Sequence, residues 1–214
     1  MNKSKFKKIP VILTAMAILL LSMRIAYTGN IMFAFLIWNL FLAYIPYWLT
    51  KPLLKTMREK NRKISVGLLF MAWMAFLPNA PYILTDLFHL RPRPEAPIWF
   101  DLILILTFAM NGLVLWFASV IRLHNFIEIR YGIMKGKIFI SSTIILSSIG
   151  IYLGRYGRWN SWDLISNTQG LFVDILHRLT HPLSFPALYG MTFTFSLFLG
   201  TAYFVLRHPL NPKS

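Results

Sequence analysis

Six stretches of the chain are apolar for long enough to cross a bilayer. They run over about residues 9–27, 31–50, 64–84, 98–121, 138–154 and 185–206. A helix rises 1.5 Å per residue, so about 20 residues cross a hydrocarbon core of about 30 Å. The fifth stretch is the shortest and carries Ser141, Ser142, Thr143, Ser147 and Ser148. It still predicts a span, because hydroxyls bond back to helix carbonyls and pack against neighbouring helices. Between the fifth and sixth stretches, Leu164, Thr168, Leu171, Ile175 and Leu179 recur at helical spacing, with Asn167, Asp174, His177 and His181 on a different face. That pattern predicts an amphipathic helix lying at the membrane surface, with Trp159 and Trp162 before it at the interface. The fold expected is all-α: a polytopic membrane helix bundle of six spans plus one interfacial helix, forming a single domain over 1–214.

Composition agrees with this. The 214 residues are 57% hydrophobic and 14% charged, with mean hydropathy +0.58. A soluble domain needs more charged surface. Formal net charge is +15, from 22 basic and 7 acidic residues. The basic residues lie in short clusters between apolar runs, the pattern of cytoplasmic loops, and this argues against nucleic acid as a partner. There is no Cys, which excludes disulfides, thiol catalysis and Cys-based metal centres. The segment from Lys3 to Tyr27 resembles a signal peptide, but Arg24-Ile25-Ala26-Tyr27 is a poor cleavage context, so an uncleaved first helix is expected.

Basic residues also set the expected orientation. With the N-terminus inside, the inner groups are Lys3, Lys5, Lys7 and Lys8; the loop from Lys51 to Lys63; Arg122, Arg130, Lys135 and Lys137; and Arg207 with Lys213. Arg24, Arg91, Arg93, Arg155, Arg158 and Arg178 then fall outside, with most of the acids. The positive-inside rule therefore predicts both termini in the cytoplasm. The loop Lys51–Lys63 is expected to meet anionic lipid headgroups.

Polar chemistry gathers at the expected outer level. Pro78 and Pro81 cannot both sit in an undisturbed helix, so the third span should break there. Asn79 is then placed to cap a short new helix, on which Tyr82, Asp86 and His89 share a face at i, i+4 and i+7. Asp101, Arg155, Arg158 and Asp163 reach the same level from neighbouring span ends. The candidate polar site is thus Asn79, Tyr82, Asp86, His89, Asp101, Arg155, Arg158 and Asp163. Ion pairs of Asp86, Asp101 or Asp163 with Arg155 or Arg158 are the structural expectation; a binding or catalytic role is the alternative. Asp174, His177 and His181 have a spacing able to hold a divalent metal, against the plainer reading of a wet helix face. Asn39 and Asn111, deep in their spans, are expected to hydrogen-bond between helices, and Gly150-Ile151-Tyr152-Leu153-Gly154 to permit close packing. No sequence motif demands a cofactor.

The segments Phe76-Leu77-Pro78-Asn79-Ala80-Pro81-Tyr82 to Asp86-Leu87-Phe88-His89-Leu90, Trp99-Phe100-Asp101, and Arg158-Trp159-Asn160-Ser161-Trp162-Asp163 resemble a bacterial family of multi-pass membrane proteins, domain of unknown function 1361. The resemblance implies a multi-pass fold in a bacterial cytoplasmic membrane, and brings no activity or catalytic residues with it. Three functions stay open: an outward-facing site that binds or handles an envelope lipid or glycan, enzymatic or not; a small transporter or channel subunit; or a non-catalytic assembly partner. Few polar groups in the inner halves of the spans argue against the second.

Overall fold

A computed structural model describes residues 3–59 and 61–207, with side chains from residue 8. Of the topogenic lysines, Lys60 and Lys213 lie outside the described residues, as do the side chains of Lys3, Lys5 and Lys7. Among the described residues there are helices and turns and no strand, apart from an isolated β-bridge between Arg93 and Ala96.

The helices are α1 (Lys3–Thr28), α2 (Phe35–Thr56), α3 (Lys63–Phe76), α4 (Asn79–Tyr82), α5 (Ile98–Tyr131), α6 (Ile133–Tyr152), α7 (Asp163–Ser166), α8 (Thr168–Thr180) and α9 (Pro186–Arg207). Six helical stretches are long and apolar enough to span: Lys8–Thr28, Met32–Thr56, Lys63–His89, Ile98–Tyr131, Ile133–Gly157 and Pro186–Arg207. Each overlaps one predicted span, and all six run beyond the expected C-terminal end. α1 stops at Gly29, whose φ of +66° lets its N–H turn back to the Ile25 carbonyl at 2.8 Å. α2 continues through Pro46 and Pro52, and Thr50 and Thr56, one turn later, give their hydroxyls to the two proline carbonyls at 2.8 and 2.9 Å.

The third span breaks where the prolines predict, and the break differs in detail. α3 ends at Phe76, α4 is a single turn, and Ile83–His89 winds as a 3₁₀ helix. Asn79 does not cap α4; its side-chain Nδ2 donates backwards to the Phe76 carbonyl at 2.9 Å, satisfying the end of α3. In a 3₁₀ helix the eclipsed positions are i and i+3. Asp86 therefore lines up with Ile83 and His89, while Tyr82 lines up with Thr85 and Phe88. Backbone irregularity at this depth needs protein cover. Gly112 of α5 supplies it, standing so close that a Cβ there would lie 2.2 Å from the Ala80 carbonyl oxygen.

The packing divides the chain into two compact units, Met1–Arg122 and Leu123–Ser214, with the boundary inside α5. In the first, α2 packs on α3 and α4, over a core that includes Phe33, Leu36, Leu53, Trp73, Ile83, Phe108 and Trp116. In the second, α6 packs on α9, and α7 on α8. The apolar window of α5 is 72% buried, against 17–39% for the other five spans. Those five leave large apolar side chains such as Val11, Leu68, Phe193 and Phe204 exposed. In water such surface is costly; against lipid it is the expected condition.

Candidate functional site

Asn79, Tyr82, Asp86, His89 and Asp101 belong to the first unit; Arg155, Arg158 and Asp163 belong to the second.

In the first unit, Asp101 sits in the first turn of α5 with 1% of its surface exposed. Arg24, equally buried near the end of α1, reaches it with Nε at 3.1 Å and Nη2 at 3.5 Å. Arg93 brings a second guanidinium, with Nη1 at 3.3 Å. Both guanidinium carbons lie over the Phe33 ring, at 5.1 and 5.3 Å from its centroid. The remaining donors are also used: Arg24 bonds the Thr28 hydroxyl at 2.8 Å, and Arg93 the His89 carbonyl at 3.1 Å. A buried carboxylate between two satisfied guanidinium groups is a fastening, since a lone charge there would cost several kcal/mol, of order 3–5. Asp86 is as buried and accepts a 2.8 Å hydrogen bond from the Asn39 amide of α2. His89 is exposed and packs its ring on Phe35, centroids 5.2 Å apart. Tyr82 is half-buried.

Arg24 and Arg93 were not among the residues picked out from the sequence. The signal for Arg24 was present, because it is the one charged residue between Lys8 and Lys51. A lone charge inside an apolar run needs a partner.

Further polar contacts follow one side of α5. Asn111 Nδ2 donates to the Thr14 hydroxyl at 2.7 Å, and Thr14 lies 2.7 Å from the Tyr44 hydroxyl. Ser119 lies 2.6 Å from Thr50, and Trp73 Nε1 donates to Ser119 at 2.7 Å. Arg122 stacks over Tyr47 at 4.9 Å. Asn111 thus bonds between helices as expected, while its Oδ1 is buried with no hydrogen-bond partner.

In the second unit, Arg155 lies in a π-helical turn over Leu153–Gly157, half-buried, and Arg158 follows it, exposed, at φ +58°. Asp163 serves local structure: its Oδ2 accepts the Asn160 N–H at 2.7 Å and its Oδ1 the Ser166 hydroxyl at 3.1 Å. The more organised constellation surrounds α8. Arg178 Nε donates to both Asp174 oxygens at 2.8 Å, and Trp159 Nε1 donates to Asp174 Oδ2 at 2.6 Å. Arg178 Nη1 continues to the Tyr152 hydroxyl at 3.0 Å, and its guanidinium lies 4.9 Å from the Phe185 centroid. Tyr189 of α9 donates to the Leu179 carbonyl at 2.8 Å. Partial burial pushes the Asp174 carboxyl upward, but the hydrogen bonds from Arg178 and Trp159, with the charges of Arg178 and His177, hold it below the usual carboxylate range. The same pairing raises Arg178 above the usual guanidinium value.

Leu171 and Ile175 of the expected apolar face turn toward the protein, while Asn167, His177 and His181 of the expected polar face stay exposed. Asp174 and Arg178, two of its charged positions, face the protein. Phe172, Leu176 and Leu179, at i, i+4 and i+7, form an exposed stripe, 61%, 45% and 44% accessible. Beside the stripe is an open depression of about 480 Å³ lined by Asn167, Gln169, Gly170, Val173, Asp174 and His177. Among the described residues no three His, Asp or Glu side chains come together as a metal would need. Asp174 is taken by Arg178 and Trp159, and His181 Nδ1 is set 2.9 Å from the His177 carbonyl.

Sequence reading also passed over a cluster in the second unit. His124 Nδ1 is hydrogen-bonded to Tyr203 of α9, Glu128 lies 4.0 Å from His124 Nε2, and Arg207 pairs with Glu128. Gly136 of α6 is the space for that imidazole, since a Cβ would lie 2.8 Å from His124 Nε2.

Helices of this length and composition, with charges fastened in pairs and apolar side chains turned outward, define an all-helical multi-pass class of membrane protein. Residues 38–201 match the family model described as a protein of unknown function, DUF1361, and the chain belongs to that family. No curated protein and no solved structure matches it.

Proposed function

We propose that the chain is one integral domain of a bacterial cytoplasmic membrane, with both termini inside, whose outward-facing side binds or handles an envelope lipid or glycan. The observation that carries this reading is the setting of α8. Arg178 ties it to Tyr152 at the end of one span, and Tyr189 ties it to the start of the next. A helix fastened to two span ends lies at the membrane boundary, and its exposed stripe of Phe172, Leu176 and Leu179 fits the edge of the hydrocarbon. The depression beside the stripe then opens among headgroups. The basic loops support the orientation, and anionic headgroups suit the loop from Lys51 to Lys63.

The test compares the envelope lipids and polymers of a deletion strain complemented with wild type or with Gln169→Ala/His177→Ala. The expected result is an altered profile that wild type restores and the variant does not. A deletion profile identical to the parent's would count decisively against the reading. Orientation is read separately and cleanly, since the chain has no thiol of its own. Gln169→Cys should react with a membrane-impermeant maleimide on intact cells, and Met57→Cys only after lysis.

A second reading, passage of a proton or small solute through the first unit, draws support from the polar contacts along α5. Thr50, Ser119, Trp73, Tyr47 and Arg122 put polar groups in the half of the spans expected to lack them. Proteoliposomes that hold a pH or solute gradient as long as empty ones would remove that support.

A further inference from the structure

We propose that the ligand of the α8 surface is a glycolipid: a sugar headgroup seated in the depression, with its acyl chains along the exposed apolar stripe. This rests on the reading of α8 as a boundary helix and goes further by naming the ligand's chemistry.

The polar wall decides the headgroup. Its functional groups are two amides, Asn167 and Gln169, one imidazole, His177, and one carboxylate, Asp174. No Lys or Arg lines it, so a phosphate would find no guanidinium or ammonium to meet it. Arg178, on the same helix, is not part of the lining and directs Nε to Asp174 and Nη1 to Tyr152. An ammonium headgroup fares little better, because both Asp174 oxygens already accept from Arg178 and Trp159. What is left is two amides and an imidazole, whose paired N–H donors and acceptor atoms match vicinal hydroxyls. The Gln169 side chain makes no hydrogen bond among the described residues, so its amide is open to such a ligand.

The apolar stripe decides the tail. On α8, Val173 lies between the two sectors: it lines the depression and is 58% exposed. One step around the helix from it, Phe172 and Leu176 begin the outward stripe. A ligand filling the depression therefore meets apolar surface at its rim, the arrangement an amphiphile needs and a free sugar does not use.

The experiment uses full-length protein in phosphatidylcholine nanodiscs doped with diglucosyl-diacylglycerol or with phosphatidylglycerol, with free maltose as a third arm. Retained lipid is read by native mass spectrometry. The expected result is retention of the glucolipid over phosphatidylglycerol, weak or no maltose binding, and about tenfold weaker retention in Gln169→Ala/His177→Ala. Equal retention of both lipids, unchanged in the variant, overturns the proposal; so does maltose binding as tight as the glucolipid. The seat of α8 is read independently from a fluorophore on Phe172→Cys with nitroxide-labelled lipid. Quenching without glucolipid preference defeats the glycolipid proposal and leaves the boundary helix standing. Absence of quenching defeats both.

Discussion

Two carboxylates in this protein carry arginine partners in opposite circumstances. Asp101 is out of reach of solvent and held between Arg24 and Arg93. Asp174 is about a quarter exposed at its side chain and held by Arg178 and Trp159. The first joins α1, the segment after the broken span, and α5; the second orients one surface helix. The same chemical pair is a structural necessity where water is absent and an adjustable tether where water is near. That difference separates the two units. The described polar groups of the first are mostly spent on one another, whereas the second presents amides and an imidazole to its surroundings.

The sharpest way to break the comparison is Asp101→Ala. It should cost about 3–5 kcal/mol, because the Arg24 guanidinium is left buried without its counterion. Denaturant titration in mixed micelles measures it, and Arg24→Met/Asp101→Leu should recover a good part of the loss. A destabilisation under 1 kcal/mol would mean the site is wet. Next comes Gly112→Ala, which drives a methyl into the Ala80 carbonyl and should cost about 1–3 kcal/mol. The same titration checks it, and a neutral result would show that the broken span gives way. Trp73→Phe removes the donor to Ser119 and should cost about 1 kcal/mol. The smallest global effect belongs to Asp174→Asn, with a loss below about 1 kcal/mol. Its signature is local: faster hydrogen exchange over residues 163–180. Because the Asp174 carboxyl titrates below its unfolded value, the tether is at full strength above the usual carboxylate pKa. It weakens as pH falls through the lowered value. Exchange over α8 in wild type should therefore rise on acidification and be flat with pH in Asp174→Asn.

The spans were legible in the sequence because oil imposes a single demand, about 20 apolar residues in a row. The break at Pro78 and Pro81 was legible for an equally local reason. The winding after it was not. Whether Ile83–His89 coils with 3.6 or 3.0 residues per turn depends on what packs against it, and that choice moved Tyr82 off the face of Asp86. The burial of Asp101 could be anticipated from its place at a span end; its partners could not, since Arg24 is 77 residues away. α8 was visible as an amphipathic helix, but the inward tie of Asp174 was not. Trp159, fifteen residues away, reaches it through a contact no spacing rule contains.

α5 contains no charged residue between Asp101 and Arg122. Those two positions are 21 residues apart, about 31 Å along the helix. That interval is close to the thickness of hydrocarbon in an ordinary bilayer, about 30 Å. The helix is therefore a measuring rod with a mark at each end. Sliding it by one turn would drag a charge into oil, and a thinner bilayer would force it to tilt. Because Arg24 clasps the upper mark, α1 is held at the same height.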